Sequence, residues 1–114
     1  MGARLVYVIK FVADMDAAIA FHRDQLGIPV KFASPFWTEM VTGETTLALH
    51  PASDDNPAGS VQIGYRVPDV DAFYAEKSAA GLAFIQPPTL LHGTKMTALR
   101  DCEGAEIRVS GETV

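Results

Sequence analysis

The sequence predicts an α+β domain of two tandem β-α-β-β-β units, whose curved mixed sheets surround a cleft. The first observation is an internal repeat. Val12-Ala13-Asp14-Met15-Asp16-Ala17-Ala18-Ile19-Ala20-Phe21 is echoed by Val67-Pro68-Asp69-Val70-Asp71-Ala72-Phe73-Tyr74-Ala75-Glu76, with Val, Asp, Asp, Ala and Ala coinciding at one constant offset. The second is the setting of each copy: an apolar run precedes it, and a glycine, Gly27 or Gly81, closes it. The third is length, since 114 residues fit a single domain, 1–114, and leave no room for another.

The elements follow in order. Arg4–Val12 is rich in Val, Ile, Tyr and Phe and reads as a buried strand. Asp14 is placed to cap a helix, because its carboxylate can accept from the free amides of the first turn. Ala17, Ile19, Ala20 and Phe21 continue that helix, Gly27 can end it in the left-handed conformation, and Pro29 cannot extend it. Short strands are expected at Val30–Ala33, Phe36–Val41 and Thr45–His50, with Gly43-Glu44 as a hairpin turn. The first unit thus spans about 4–50, and the Pro, Ser, Asp, Asn and Gly of 51–60 mark a linker. The second unit, about 61–110, repeats the order. It has strand Val61–Val67, helix Asp69–Ala80, strand Ala83–Ile85, loop Gln86–Gly93, strand Thr94–Arg100, turn Asp101–Gly104 and strand Ala105–Ser110.

Composition excludes several classes. Hydrophobic residues make up 48% and charged residues 20%, which is globular rather than disordered. A net charge of −5 without a basic stripe argues against nucleic acid as a partner. Apolar runs are too short for a membrane span, and the N-terminal residues show no separate apolar segment with a cleavage site. Cys102, the single cysteine, allows no intrachain disulfide, so a cytoplasmic location is expected.

Ala20-Phe21-His22-Arg23-Asp24-Gln25-Leu26-Gly27, the duplicated Val-x-Asp phrases and Arg100-Asp101-Cys102-Glu103-Gly104-Ala105-Glu106-Ile107-Arg108 together resemble the vicinal-oxygen-chelate superfamily of glyoxalase, bleomycin-resistance and extradiol-dioxygenase proteins. The likeness runs from Leu5 to Ser110. It implies a divalent ion chelated by His, Gln or Glu from the first and last strands of each unit, acting as a Lewis acid, and it implies a homodimer. Carried over, the ligand positions fall on Tyr7, Ala48, Gln62 and Arg108. Only Gln62 is a common ligand type. Ala48 has no donor atom, and Arg108 is a permanent cation. A unit charge about 4 Å away repels another by about 4 kcal/mol at a surface-like dielectric, and a divalent ion doubles this. The expectation is therefore no metal cofactor, with a rearranged divalent site as the alternative.

Alternation along strands places Tyr7, Ile9 and Phe11, Thr46 and His50, Gln62, Gly64 and Arg66, and Glu106, Arg108 and Ser110 toward the cleft. That is an apolar wall beside a few polar groups, the make-up of small-molecule pockets. The expected ligand contacts are Tyr7, Phe11, Trp37, His50, Gln62, Arg66, His92 and Arg108, with a small anionic or aromatic organic partner. Several have a plainer alternative. Arg108 either grips an anion or pairs with Glu106 or Glu103. Arg66 either meets ligand or pairs with Glu106. Tyr7 is either a ligand contact or a core aromatic. Trp37 and Phe36 either stack on ligand or belong to a core or dimer interface. His50 is either a displaced ligand or base, or a strand-end histidine. His92 lies in the expected loop at the cleft mouth.

Asp14, Asp16, Asp69 and Asp71 are better explained as helix-start residues than as catalytic carboxylates. Lys10 breaks the pattern. Either its stem snorkels to solvent from the helix-facing side, or the strand register is shifted by one, which would reverse every face assignment.

The functional expectation is a metal-free small-molecule binding protein, with antibiotic sequestration or resistance as its role. The alternatives are a metal-dependent lyase, isomerase or dioxygenase, and an accessory protein with a vestigial cleft.

Overall fold

The computed structural model describes residues 2–91 and 93–112. Its elements are strands β1 (Arg4–Val12), β2 (Val30–Phe32), β3 (Thr38–Met40), β4 (Thr46–Pro51), β5 (Val61–Val67), β6 (Phe84–Leu91), β7 (Thr94–Arg100) and β8 (Glu106–Gly111), and helices α1 (Met15–Ala20) and α2 (Val70–Ala79). The chain divides into two compact units, Val6–Gln62 and Met1–Leu5 with Ile63–Val114.

In the Val6–Gln62 unit the strand order is β2-β3-β4-β1, with β1 and β4 parallel and the other pairs antiparallel. In the second unit the corresponding order is β6-β7-β8-β5, with β5 and β8 parallel. The duplicated phrase is therefore the sequence trace of a duplicated topology. Its agreement reaches atomic detail at the caps. Asp14 (φ −134°, ψ 106°) accepts from the Ala17 amide at 3.0 Å, and Asp69 (φ −141°, ψ 104°) accepts from the Ala72 amide at 3.1 Å. Each carboxylate satisfies an amide that the helix itself leaves without an acceptor. Asp16 and Asp71 sit in the first turns, where the helix dipole favours negative charge.

Two sequence expectations need correction. The first helix does not run as one α-helix to Gly27: after Ala20 it widens into a π-helical segment, Phe21–Gln25, before Gly27 turns with φ 70°. The widened turn places His22 inside, 8% exposed, with its Nδ1 donating to the Ala18 carbonyl at 2.8 Å. The second correction concerns Gln86–Gly93. Gln86–Leu91 continues strand β6 instead of forming a loop, although it contains Pro87 and Pro88. Strand β6 pairs only with β7 within its sheet order, and an outer strand needs no ladder donor on its free side. The register shifts between Gln86 and Thr89, where the two prolines fall.

The face assignments stand. Tyr7, Ile9 and Phe11 pair with Thr46, Ala48 and His50, whereas Lys10 pairs with Leu49. Leu49 in turn faces Thr38 across β3, and Leu49, Thr38 and Met40 are essentially inaccessible. Lys10 thus occupies the opposite face from Tyr7, and no register slip is needed to explain it. In the second unit Val67, Val70, Leu99 and Val109 form the core, with Tyr65, Phe73, Phe84 and Ile107 packed around them. Gly64, Arg66, Arg108, Ser110, Ala98 and Met96 alternate onto the face away from that core.

Candidate functional site

On the Val6–Gln62 unit the face carrying Tyr7 has an apolar floor and an aromatic rim. Ile9, Phe11 and Ala48 form the floor, and Tyr7, Trp37 and Ala52 pack against it. The rim is made of edge-to-face contacts. Tyr7 and Trp37 have centroids 5.6 Å apart, Trp37 and His50 6.2 Å, and Phe11 and His50 5.2 Å. The ring quadrupoles favour this arrangement over face-to-face stacking. Tyr7 and Trp37 are half-buried, and His50 is exposed. Four of the expected contacts, Tyr7, Phe11, Trp37 and His50, are thus brought together.

Trp37 is held from two sides. Ser34 accepts from the Trp37 amide at 3.0 Å and its hydroxyl donates to the Trp37 carbonyl at 2.9 Å. The indole Nε1 donates to Glu39 Oε2 at 2.8 Å. Glu39 is the residue that sequence reasoning missed. It stands directly across from Ala48 on β3, its side chain is only 18% exposed, and Lys31 Nζ lies 3.9 Å from its other oxygen. The signal was present, because Glu39 lies two residues past Trp37 in a strand and so shares its face. Phe36, the other residue considered for stacking, is 76% exposed and outside the rim contacts.

His50 Nδ1 lies 2.8 Å from the Pro51 carbonyl oxygen. A carbonyl can only accept, so Nδ1 donates, and in the neutral ring Nε2 keeps the lone pair. His50 is therefore able to accept a proton or a ligand hydrogen bond at Nε2. Gln62, at the start of β5, is buried at 4% exposure.

In the second unit Arg66 and Arg108 share the face away from the core. Arg108 Nη2 pairs with Glu106 at 3.2 Å, and its Nη1 lies 3.9 Å from Met96 Sδ. Arg66 does not pair with Glu106. The Nε atoms of both arginines are buried without a hydrogen-bond partner among the described residues. His92 lies outside the described residues.

The donor set does not fit a divalent ion at the chelating positions. Ala48 is fully buried and supplies a methyl group, and Arg108 supplies a cation already engaged by Glu106. Among the described residues no three His, Cys, Asp or Glu side chains gather into a ligand cluster. A depression of about 350 Å³ lies elsewhere on the Val6–Gln62 unit, lined by Asp14, Met15, Asp16, Ile19, Ala33, Ser34 and Pro35. It contains none of the expected contacts. Asp14 there is already used as a cap, so the aromatic face is the better candidate.

A duplicated β-α-β-β-β chain, with its two parallel strand pairs β1–β4 and β5–β8, defines a class of small α+β proteins. Within that class the chain belongs to the glyoxalase superfamily: the family model described as Glyoxalase/Bleomycin resistance protein/Dioxygenase superfamily matches residues 4–109. No curated protein matches the sequence. Solved structures match in fold. A hypothetical protein from Bacillus halodurans C-125 has a TM-score of 0.84 at 14% identity, covering 100% of this chain and 97% of its own. A glyoxalase/bleomycin resistance protein/dioxygenase superfamily member from Vibrio splendidus 12B01 has a TM-score of 0.75 at 18% identity, with 97% and 100% covered. A methylmalonyl-CoA epimerase variant from Streptomyces coelicolor, in complex with 2-nitronate-propionyl-CoA, has a TM-score of 0.78 at 18% identity, with 96% and 94% covered. Among the described residues no helix is long and apolar enough to cross a membrane.

Proposed function

We propose that this protein binds a planar small organic molecule on the aromatic face of the Val6–Gln62 unit, without a metal ion at the family's chelating positions. The observation that carries the reading is the preorganised rim. Trp37 is fixed by Ser34 and Glu39 before any ligand arrives, and Tyr7 and His50 flank it. Rigid aromatic side chains supply contact area at low entropic cost. The half-buried rings of Tyr7 and Trp37, seated on the buried floor of Ile9, Phe11 and Ala48, offer an apolar surface, and Glu39 and His50 Nε2 offer polar contacts. The biological role we assign is sequestration of an aromatic, antibiotic-like compound, as in resistance. The protein acts as a single domain and a homodimer in the cytoplasm, a setting that suits the exposed free thiol of Cys102.

Trp37 is the single tryptophan, so its fluorescence reports on this face directly. Titration with planar aromatic compounds, aromatic antibiotics included, is expected to change its emission saturably. Tyr7→Ala and His50→Ala should weaken that response. A full panel with no saturable change would sink the proposal.

An enzymatic reading has one observation in its favour: Glu39 and the Nε2 of His50 lie on the same face of one sheet. A lyase, isomerase or dioxygenase with a rearranged metal site would draw on them. Elemental mass spectrometry after incubation with nickel, zinc, manganese and iron(II) decides between the readings. Near-stoichiometric retention favours the enzyme, and loss of all four ions favours metal-free binding.

A further inference from the structure

The aromatic face has a sign of charge as well as a shape. Within the Val6–Gln62 unit, strands β1, β2, β3 and β4 carry Lys10, Lys31 and Glu39 as their charged side chains. Lys10 leaves by the opposite face, because its β4 partner Leu49 stands across from Thr38 there. Lys31 Nζ lies 3.9 Å from Glu39 Oε1, and its side chain is 62% exposed against 18% for Glu39. A pair that long, with its cation mostly in water, contributes little and is screened by salt. The Glu39 carboxylate is thus the charge seated among the rings, and it is still reachable.

The rings add to the same sign. An aromatic ring is negative over its face and positive at its edge, and indole is the best of the aromatic side chains at attracting a cation. Trp37 directs its edge N–H to Glu39 Oε2 at 2.8 Å, so its positive edge is already matched. The Tyr7 ring stands at 77° to that of Trp37, and the His50 ring at 84°. These planes enclose corners, where a charged group meets π-electrons from more than one side. His50 contributes an acceptor, because its Nδ1 donates to the Pro51 carbonyl and Nε2 keeps the lone pair. Glu39 has one hydrogen bond on Oε2 and a loose contact on Oε1, which leaves lone pairs for a further donor. An anion placed here would meet a carboxylate at close range, with Lys31 drawn off into solvent.

We infer that the ligand of the aromatic face is a planar organic cation, its charged nitrogen held between the Trp37 ring and Glu39. This rests on the planar-ligand reading and adds the charge to it. The sign is opposite to that of the anionic partner expected from the sequence, and Glu39, which that expectation lacked, is the reason.

The test is calorimetric titration of the full chain, above the titration range of histidine so that His50 is neutral. Three bicyclic probes of similar shape differ in charge: N-methylquinolinium, neutral quinoline and 2-naphthoate. N-methylquinolinium is expected to bind about tenfold more tightly than quinoline, and 2-naphthoate more weakly than either. Glu39→Gln keeps an oxygen to accept from the indole but removes the charge, so the gap between cation and neutral probe should shrink to about threefold. The Trp37 Nε1–H resonance checks that the ring stays seated in that variant. Lys31→Glu, at an exposed position, should tighten the cation about threefold. A cation that binds no better than quinoline, or a gap unchanged in both variants, would overturn the charge assignment and leave planar binding standing. Binding by none of the three probes would remove the planar-ligand reading and this inference together.

Discussion

If Glu39 is what fixes Trp37, breaking that contact must cost stability that a nearby unrelated change does not. Trp37→Phe keeps an aromatic ring but removes the indole donor. The lost bond is 2.8 Å long and ends on a carboxylate whose side chain is 18% exposed. Hydrogen bonds to charged groups contribute about 1.5–3 kcal/mol. Water reaching Glu39 argues for the lower part of that range. The smaller ring adds some lost burial against Tyr7 and the floor. We expect a total of about 2 kcal/mol, or about 8 °C in melting temperature for a domain of this size. Urea unfolding followed by far-ultraviolet circular dichroism measures it, since the variant has no tryptophan. A double-mutant cycle with Glu39→Leu then isolates the pair, with about 1 kcal/mol of coupling expected. Coupling below about 0.3 kcal/mol, the scatter of independent sites, would refute the claim that Glu39 holds the ring. The preorganisation behind the proposed binding face would fall with it.

Asp14→Ala and Asp69→Ala each remove one cap with the same geometry, and each should cost about 1 kcal/mol in denaturant unfolding. Nearly equal losses would confirm that the duplicated aspartates do duplicated work, and a loss at neither would refute the capping role. Gly111→Ala places a methyl group 3.3 Å from Val70 Cγ1 and 3.4 Å from the Val70 amide nitrogen, at the start of α2. Because packed interiors yield little, we expect about 1–2 kcal/mol of destabilisation, readable as a lower melting temperature.

The fold was legible because the duplicated residues do local jobs. Asp14 and Asp69 cap helices whatever packs around them, and strand alternation alone sorted Tyr7, Phe11 and His50 from Lys10. The π-helical widening was not legible. His22 turns inward to reach a carbonyl four residues back, which no local propensity announces. Strand β6 was misread because Pro87 and Pro88 signal a break, whereas an outer strand tolerates them. At the candidate site, residue types named the aromatic rim but not its anchor. Glu39 looks like an ordinary charged strand residue until its carboxylate is found on the indole nitrogen. The arginines were legible as cations, but their orphaned Nε atoms depend on what neighbouring strands fail to supply.

The two prolines of β6 also bear on behaviour in a crowded solution. Strand β2, at the outer end of its unit's sheet, is three residues long and carries Lys31 at its centre. Strand β6, at the outer end of the other, is longer and exposes Ile85, Leu90 and Leu91. A long apolar margin of this kind is a template on which a second chain can lay down a strand. Pro87 and Pro88 interrupt it by withholding an amide donor and breaking the regular register, as the lysine and the brevity do for β2. The same residues that obscured the strand in the sequence thus act as a guard against polymerisation. Replacing them with valine would leave the interior untouched and open the margin to growth.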